Sequence, residues 1–183
     1  RLLVAGFDLA DPAGAEAARA VVGYCPDIGG LIAQATPREH IDVVLALRGA
    51  TSQRRRAADL LEQFGLAESR DRPAGTFSHG MQRRLSVLLA VLTAREALVL
   101  DEPFDGVDPT GVEVTSAAIR QAAAAGLSVI VSTHLQRLLT HACDDIAVLV
   151  RGRRVATAAA ADFAGDQGEQ RYADLLRHSE AAA

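Results

Sequence analysis

Apolar positions along the chain form short continuous runs and longer stretches with helical spacing. The short runs predict strands at residues 20–25, 97–101, 127–132, 146–150 and 155–157. Apolar residues three or four apart predict two helices within residues 37–66, divided at residues 49–52, and further helices over 78–93, 109–125 and 136–142. Strands that alternate with helices in this way predict an α/β fold with a parallel sheet.

Length and composition fit one globular domain. The chain has 183 residues, of which 49% are apolar and 23% charged, so it can bury a substantial core. Its formal net charge of −4 argues against a nucleic-acid-binding surface, and the run from Arg54 to Arg56 reads as the solvated face of a helix. Cys25 and Cys143 are too few and too far apart in sequence for a zinc site, and we expect reduced thiols.

The most informative segment is the apolar run that ends at two adjacent carboxylates, Asp101 and Glu102, before Pro103. Parallel α/β sheets bind ligands at the carboxyl ends of their strands. There, one carboxylate can hold Mg²⁺ directly or through water, and the other can accept a proton from an attacking water. Taken alone, the pair reads equally well as an acidic turn at a strand end.

Three further motifs surround this strand in a consistent order. Residues 77–85 read Phe-Ser-His-Gly-Met-Gln-Arg-Arg-Leu, and Ser78 lies 23 residues before Asp101. Residues 105–108 read Asp-Gly-Val-Asp, and residues 132–134 read Ser-Thr-His, with His134 lying 32 residues after Glu102. Together they resemble the signature, Walker B, D-loop and H-loop motifs of ATP-binding cassette (ABC) proteins.

The resemblance extends from residue 1 to about 163, and it implies a P-loop NTPase-like cassette with a parallel core sheet. It also implies a helical subdomain, inserted at about residues 36–93, between the Q-loop near residue 27 and the end of the signature helix. We expect a partial cassette over residues 1–165, and a tail over 166–183 with a weak helix near residues 172–177.

The resemblance implies a site shared by two cassettes that face head to tail, with ATP and Mg²⁺ between them. It assigns general-base catalysis to Glu102 and contact with the γ-phosphate to His134. Ser78, with the backbone N–H groups of His79 and Gly80, would bind the phosphate from the opposite cassette. Glycine is unfavourable inside a helix by about 1 kcal/mol, so Gly80 suggests close backbone approach to a neighbour.

The remaining assigned residues are three aspartates. Asp108 would contact the opposite cassette, and Asp101 and Asp27 would bind the metal, with a permease-sensing role as the alternative for Asp27. Asp27 stands where the family has a glutamine, and its carboxylate can reach Mg²⁺ or its waters but donates no hydrogen bond.

Two departures from the commonest signature are His79, where a glycine is usual, and Met81, where a glutamine is usual. The Ser-x-Gly-Met variant is similar to cassettes of ABC-2 type exporters. It implies a subunit that powers a separate membrane permease and lies at the cytoplasmic face of the membrane. We expect His79 to point to solvent.

The Walker A pattern is absent, because the 183 residues contain no lysine. We expect a P-loop segment to lie outside this sequence, so that the chain as given does not hydrolyse ATP. A degenerate cassette that serves as a non-catalytic interaction module is the alternative. An ABC-type ATPase acting on nucleic acid or the ribosome is another, although the chain has neither long coiled coils nor a second cassette.

Overall fold

A computed structural model describes residues 1–28 and 30–181, apart from the side chains of residues 136, 141 and 178–181. The chain divides into two compact units, Arg1–Ser132 and Thr133–Ala183. No helix in the described part of the chain is long and apolar enough to span a bilayer.

The described residues of the first unit form five strands and five α-helices. An antiparallel hairpin and a helix precede the first strand of the parallel sheet. Short 3-10 turns lie between the helices that follow this strand. In chain order the elements are β1 Leu3–Val4, β2 Phe7–Asp8, α1 Pro12–Val21, β3 Val22–Cys25, α2 Pro37–Leu47, α3 Arg54–Gln63, α4 His79–Thr93, β4 Ala97–Asp101, α5 Pro109–Ala124 and β5 Ser128–Ser132.

The core of this unit is a parallel sheet in the order β3-β4-β5. Cys25 pairs with Leu100 and Leu100 with Val131, and the register continues to Asp101 opposite Ser132. The three strands therefore end together, and their carboxyl ends bring distant parts of the sequence to one edge. The predicted parallel α/β fold is confirmed.

One face of the sheet packs against α4. Gly23 lies so close to this helix that a Cβ there would be 2.0 Å from the Ala90 carbonyl oxygen, which requires glycine on the strand. Leu98 and Leu100 face the helix and are fully buried. The opposite face is more open, with Tyr24 56% and Ile130 64% exposed.

The helices of the inserted region begin where the sequence predicts. Thr36 and Glu39 form a capping box at the start of α2, with Thr36 Oγ1 accepting from the Glu39 N–H at 3.2 Å. Ser78 caps α4. In α4 the predicted inward leucines are buried, as are most of their neighbours: Leu85, Val87, Leu88, Leu89, Ala90, Val91 and Leu92. The prediction of two helices divided near residue 50 is confirmed.

The second unit holds α6 Gln136–Ala142, β6 Asp145–Val150, β7 Arg153–Ala159, a 3-10 turn Ala160–Phe163 and α7 Gly165–Ala181. β6 and β7 pair antiparallel around Arg151 and Gly152, both with positive φ, as a two-residue hairpin turn requires. Phe163 is buried with Ile146 and Val148, and these form the centre of this unit's core.

One local prediction was wrong, and two predicted elements are longer than expected. Ala20 and Val21 belong to α1 and not to a strand, because Asp11 and Pro12 start a helix that runs as far as Val21. The strand predicted at residues 155–157 is confirmed and extends over Arg153–Ala159, because pairing with β6 stabilises the alanine residues that have a weak strand preference of their own. The weak helix predicted at 172–177 is the middle of a 17-residue helix whose Tyr172 and Leu175 pack against the core. The cassette boundary near residue 165 stays a prediction.

Candidate functional site

The carboxyl end of β4 carries the paired carboxylates. Asp101 is the last residue of the strand, and the Ser132 hydroxyl at the end of β5 donates a hydrogen bond to Asp101 Oδ1. This bond orients the half-buried carboxylate at the sheet edge. A carboxylate oxygen held here suits Mg²⁺, which in nucleotide sites usually binds one or two carboxylates together with phosphate oxygens.

Glu102 has an unusual backbone conformation. Its φ is +46°, in the left-handed region that side chains other than glycine rarely adopt. Hydrogen bonds on both sides hold it there, from the Glu102 N–H to the Ser132 carbonyl at 3.0 Å and from the Asp105 N–H to the Glu102 carbonyl at 3.2 Å. Backbone strain of this kind costs of order 1–3 kcal/mol and concentrates at functional sites. The left-handed conformation turns the backbone at Glu102 away from the direction of the strand before it.

Ser78 starts the signature helix. Its backbone is extended, and its hydroxyl oxygen accepts a hydrogen bond from the Met81 N–H at 3.2 Å. The hydroxyl hydrogen is still able to donate to an incoming oxygen. Because the first N–H groups of a helix lack intrahelical acceptors, this end of α4 favours an anion.

The signature and the D-loop contact each other within the chain. A Cβ on Gly80 would lie 2.6 Å from the Gly106 carbonyl oxygen, and a Cβ on Gly106 would lie 2.2 Å from the His79 ring. The close approach that Gly80 indicates is therefore explained by the chain's own D-loop. The phosphate role of Gly80 loses that support and stays a prediction from the resemblance.

His79 does not simply point to solvent. Its side chain is 60% exposed, but Nε2 lies 3.1 Å from Asp105 Oδ2. The residue that departs from the usual glycine thus makes a second link between signature and D-loop. Asp108 caps α5 and accepts from the Gly111 N–H at 2.8 Å, and its predicted contact with another cassette is untested.

A residue that sequence reasoning missed lies between the Q-loop and the end of β4. Arg83 is only 5% exposed, and its guanidinium donates to the carbonyl oxygens of Pro26 and Asp27. The signal was present in the sequence, since Arg83 shares a helix face with the buried residues Val87 and Ala90.

Cys25 lies beside this arginine at the end of β3. Burial raises the pKa of the Cys25 thiol, while hydrogen bonds with Ser86 and Arg83 act in the opposite direction. The Cys25 thiol donates to Ser86 Oγ at 3.3 Å. These contacts make Cys25 part of the packing between β3 and α4.

His134 belongs to the second unit. It comes two residues after β5 ends and is exposed, and the Leu135 N–H donates to Thr133 Oγ1 at 3.1 Å in the same turn. The first unit brings together Asp101, Glu102 and Asp27 at the strand ends, with Ser78, His79 and Gly80 beside the D-loop. The geometry of His134 toward Glu102 stays a prediction.

A family model that describes ABC transporters matches residues 1–105. The chain belongs to the ABC transporter family. A solved ATP-binding subunit of an ABC transporter superposes with a TM-score of 0.83 at 26% identity, covering 94% of this chain and 75% of that one. A dimeric bacterial ABC transporter cassette superposes with a TM-score of 0.72 at 19% identity, covering 82% and 67%. The cassette fold is thereby confirmed.

Within the aligned residues, named relatives are about one-third identical to this cassette. Nod factor export ATP-binding protein I of Burkholderia orbicola is 34% identical over 150 residues, which are 81% of this chain and 49% of that protein. Human phospholipid-transporting ATPase ABCA7 is 32% identical over 139 residues, 75% of this chain and 6% of that protein. The chain therefore spans half or less of the length of these relatives.

Proposed function

We propose that this cassette is the ATP-hydrolysing subunit of a transporter, and that it works as one of a pair of cassettes on a separate membrane permease. The observation that carries the proposal is the arrangement at the end of β4. There an oriented Asp101 and a strained Glu102 stand at the edge where the three parallel strands end.

Asp101 would hold Mg²⁺ at this edge of the sheet. The chemistry that the bound ion would supply is stabilisation of the negative charge on the transferred phosphate. The oxygen donor and its hydrogen bond from Ser132 fit that ion. In the described part of the chain no three His, Cys, Asp or Glu side chains form a metal cluster. The remaining ligands would accordingly be phosphate and water oxygens.

Glu102 would act as the general base on the attacking water. A carboxylate is a weak base, so the contribution of Glu102 would depend mainly on the position in which it holds the water. The left-handed backbone at Glu102 supports this role, because it turns the residue out of the strand's alternation. His134 would hold the γ-phosphate and orient that water.

The signature helix would serve the ATP of the opposite cassette. Ser78 would donate its hydroxyl hydrogen, and the N–H groups at His79 and Gly80 would face the γ-phosphate. Because the signature packs on the D-loop, movement at Ser78 would be transmitted to Asp105 and Asp108. Asp108 would then contact the opposite cassette and couple the two sites.

Export is the direction favoured by the name of one relative and by the Ser-x-Gly-Met signature. One relative named above is an export ATP-binding protein and another a phospholipid-transporting ATPase. A peripheral position on the cytoplasmic side of the membrane follows from this proposal. The net charge of −4 disfavours the nucleic-acid alternative.

A non-catalytic interaction module is the second candidate, and the observation that favours it is the absence of a Walker A lysine from the 183 residues. Equilibrium binding of a fluorescent ATP analogue with Mg²⁺ to the full-length protein separates the two. Saturable binding that unlabelled ATP displaces supports the transporter subunit. No binding at millimolar ATP refutes it in favour of the interaction module.

A further inference from the structure

One buried guanidinium connects three segments of the site. Arg83 on α4 donates from Nη1 to the Pro26 carbonyl at 2.8 Å and reaches the Asp101 carbonyl at 3.5 Å. Its Nη2 donates to the Asp27 carbonyl and lies 3.3 Å from Asp27 Oδ1. The signature helix, the Q-loop and the end of the Walker B strand are thus tied through a single side chain.

A buried arginine needs a counter-charge. Its side chain is 4% exposed, and removing a cation from water is unfavourable unless a carboxylate and well-placed acceptors compensate. Carbonyl oxygens satisfy the N–H groups of Arg83 but carry no net charge. Asp27, whose side chain is 45% exposed, supplies a full negative charge at ion-pair distance. A glutamine at this position would supply none.

The same contact weakens the case for Asp27 as a metal ligand. The positively charged guanidinium lies beside the Asp27 carboxylate and repels a divalent cation from it. Asp101 reaches Arg83 only through its backbone carbonyl, and its carboxylate accepts from Ser132. The carboxylate at the end of β4 is therefore the better Mg²⁺ ligand of the two.

We propose that Asp27 is the counter-charge of Arg83, and that Arg83 is a positioning residue that holds the Q-loop against the end of the Walker B strand. On this assignment Mg²⁺ binds to Asp101 and not to Asp27, a clause that rests on the proposed function. The aspartate that replaces the usual Q-loop glutamine then compensates the charge of an arginine in the same chain.

A double-mutant cycle in the absence of nucleotide tests the counter-charge. Urea unfolding of the full-length protein is measured for D27N, R83M and the double variant. We expect D27N to raise the unfolding equilibrium constant about ten-fold, and to change it by less than about two-fold once Arg83 is methionine. An equal effect of D27N in both backgrounds overturns the proposal.

The exposed pair of Arg54 and Asp42, 3.0 Å apart with side chains 65% and 40% exposed, provides the matched control. D42N is expected to change the unfolding constant by less than about two-fold with or without Arg54. If R83M does not fold, D27E and D27N decide the question. D27E, which keeps the charge, should stay within about three-fold of wild type, and equal losses in both variants overturn the assignment.

Hydrogen exchange tests positioning apart from stability. R83M should speed exchange of the Ile32 amide, which donates to His40 Nε2 at 2.8 Å just after the Q-loop, at least ten-fold, with little change near the end of α5. Uniform acceleration across the chain would show a general loss of stability and overturn the positioning role.

The Mg²⁺ clause is tested by the Mg²⁺ concentration for half-maximal ATP turnover. D27N should leave it within about two-fold, whereas D101N should raise it at least ten-fold. An equal rise in both variants makes Asp27 a ligand and overturns the clause. Absence of turnover in the wild type refutes the proposed function and this clause together, while the nucleotide-free cycle still decides the counter-charge.

Discussion

Replacing Gly80 by alanine tests the contact between signature and D-loop. Alanine is favoured over glycine inside a helix by about 1 kcal/mol, so G80A would stabilise an isolated α4. In the folded protein the new Cβ would lie 2.6 Å from the Gly106 carbonyl oxygen and 3.3 Å from the Val107 Cα, where ordinary contacts begin at 3.4 Å. Both neighbours are backbone atoms and cannot rotate away.

Overpacking of this kind costs about 1–3 kcal/mol. After the gain in helix propensity, G80A should lower the free energy of unfolding by up to about 2 kcal/mol. Urea unfolding followed by circular dichroism measures the change. H79A is the matched control, because it changes the adjacent position without a clash and removes only an exposed contact, and it should stay within about 0.5 kcal/mol of wild type. G80A more stable than wild type would refute the packing of the D-loop on the signature.

Three further predictions concern the first unit. L88A, in a fully buried position, should lower the free energy of unfolding by about 2–5 kcal/mol, whereas L47A, at an 81% exposed position, should leave it nearly unchanged; similar losses in urea unfolding would contradict the assigned core. T36A should cost about 1 kcal/mol at pH 7 through loss of the capping box. Hydrogen bonds from the Thr36 backbone N–H and then from its hydroxyl lower the pKa of Glu39. T36A removes only the hydroxyl bond, whose contribution is complete above the unfolded pKa of about 4.3 and is lost as pH falls through the lower folded value. The T36A deficit should therefore be smaller in acid, and a constant deficit would contradict the pairing. Burial raises the pKa of the Cys25 thiol. Alkylation by iodoacetamide at pH 7.5, measured by mass spectrometry, should therefore be at least ten-fold slower in the folded than in the urea-unfolded protein. Equal rates would contradict the burial of Cys25.

The sequence predicts those parts of the fold that have local causes. Helix α4 follows from the capping residue Ser78 and a regular row of leucines, and β4 from an apolar run that stops at Asp101. Helix α1 lacks such a row, because it is built largely of alanine, and only Asp11 and Pro12 mark its start. The helix depends on packing contacts that the pattern of apolar residues in the sequence does not predict.

Contacts between distant segments are the part that the sequence could not supply. Gly80 indicates a close neighbour, but that this neighbour is the Gly106 carbonyl follows only from the folded chain. Arg83 stands 57 residues from Pro26 in sequence, and the parallel register of β3 and β4 is what brings the Q-loop beside Asp101. The motifs locate the candidate residues, and the sheet determines which of them meet.

Hydrolysis of ATP by this cassette, with Glu102 as the general base, is the step on which the proposed function depends. Steady-state ATP turnover is compared between full-length wild type and E102Q, with binding of Mg²⁺-ATP measured on the same samples. We expect E102Q to keep the wild-type affinity within about three-fold and to lose at least about a hundred-fold in turnover, because the amide cannot accept the proton. Turnover by E102Q near the wild-type rate would rule out Glu102 as the general base.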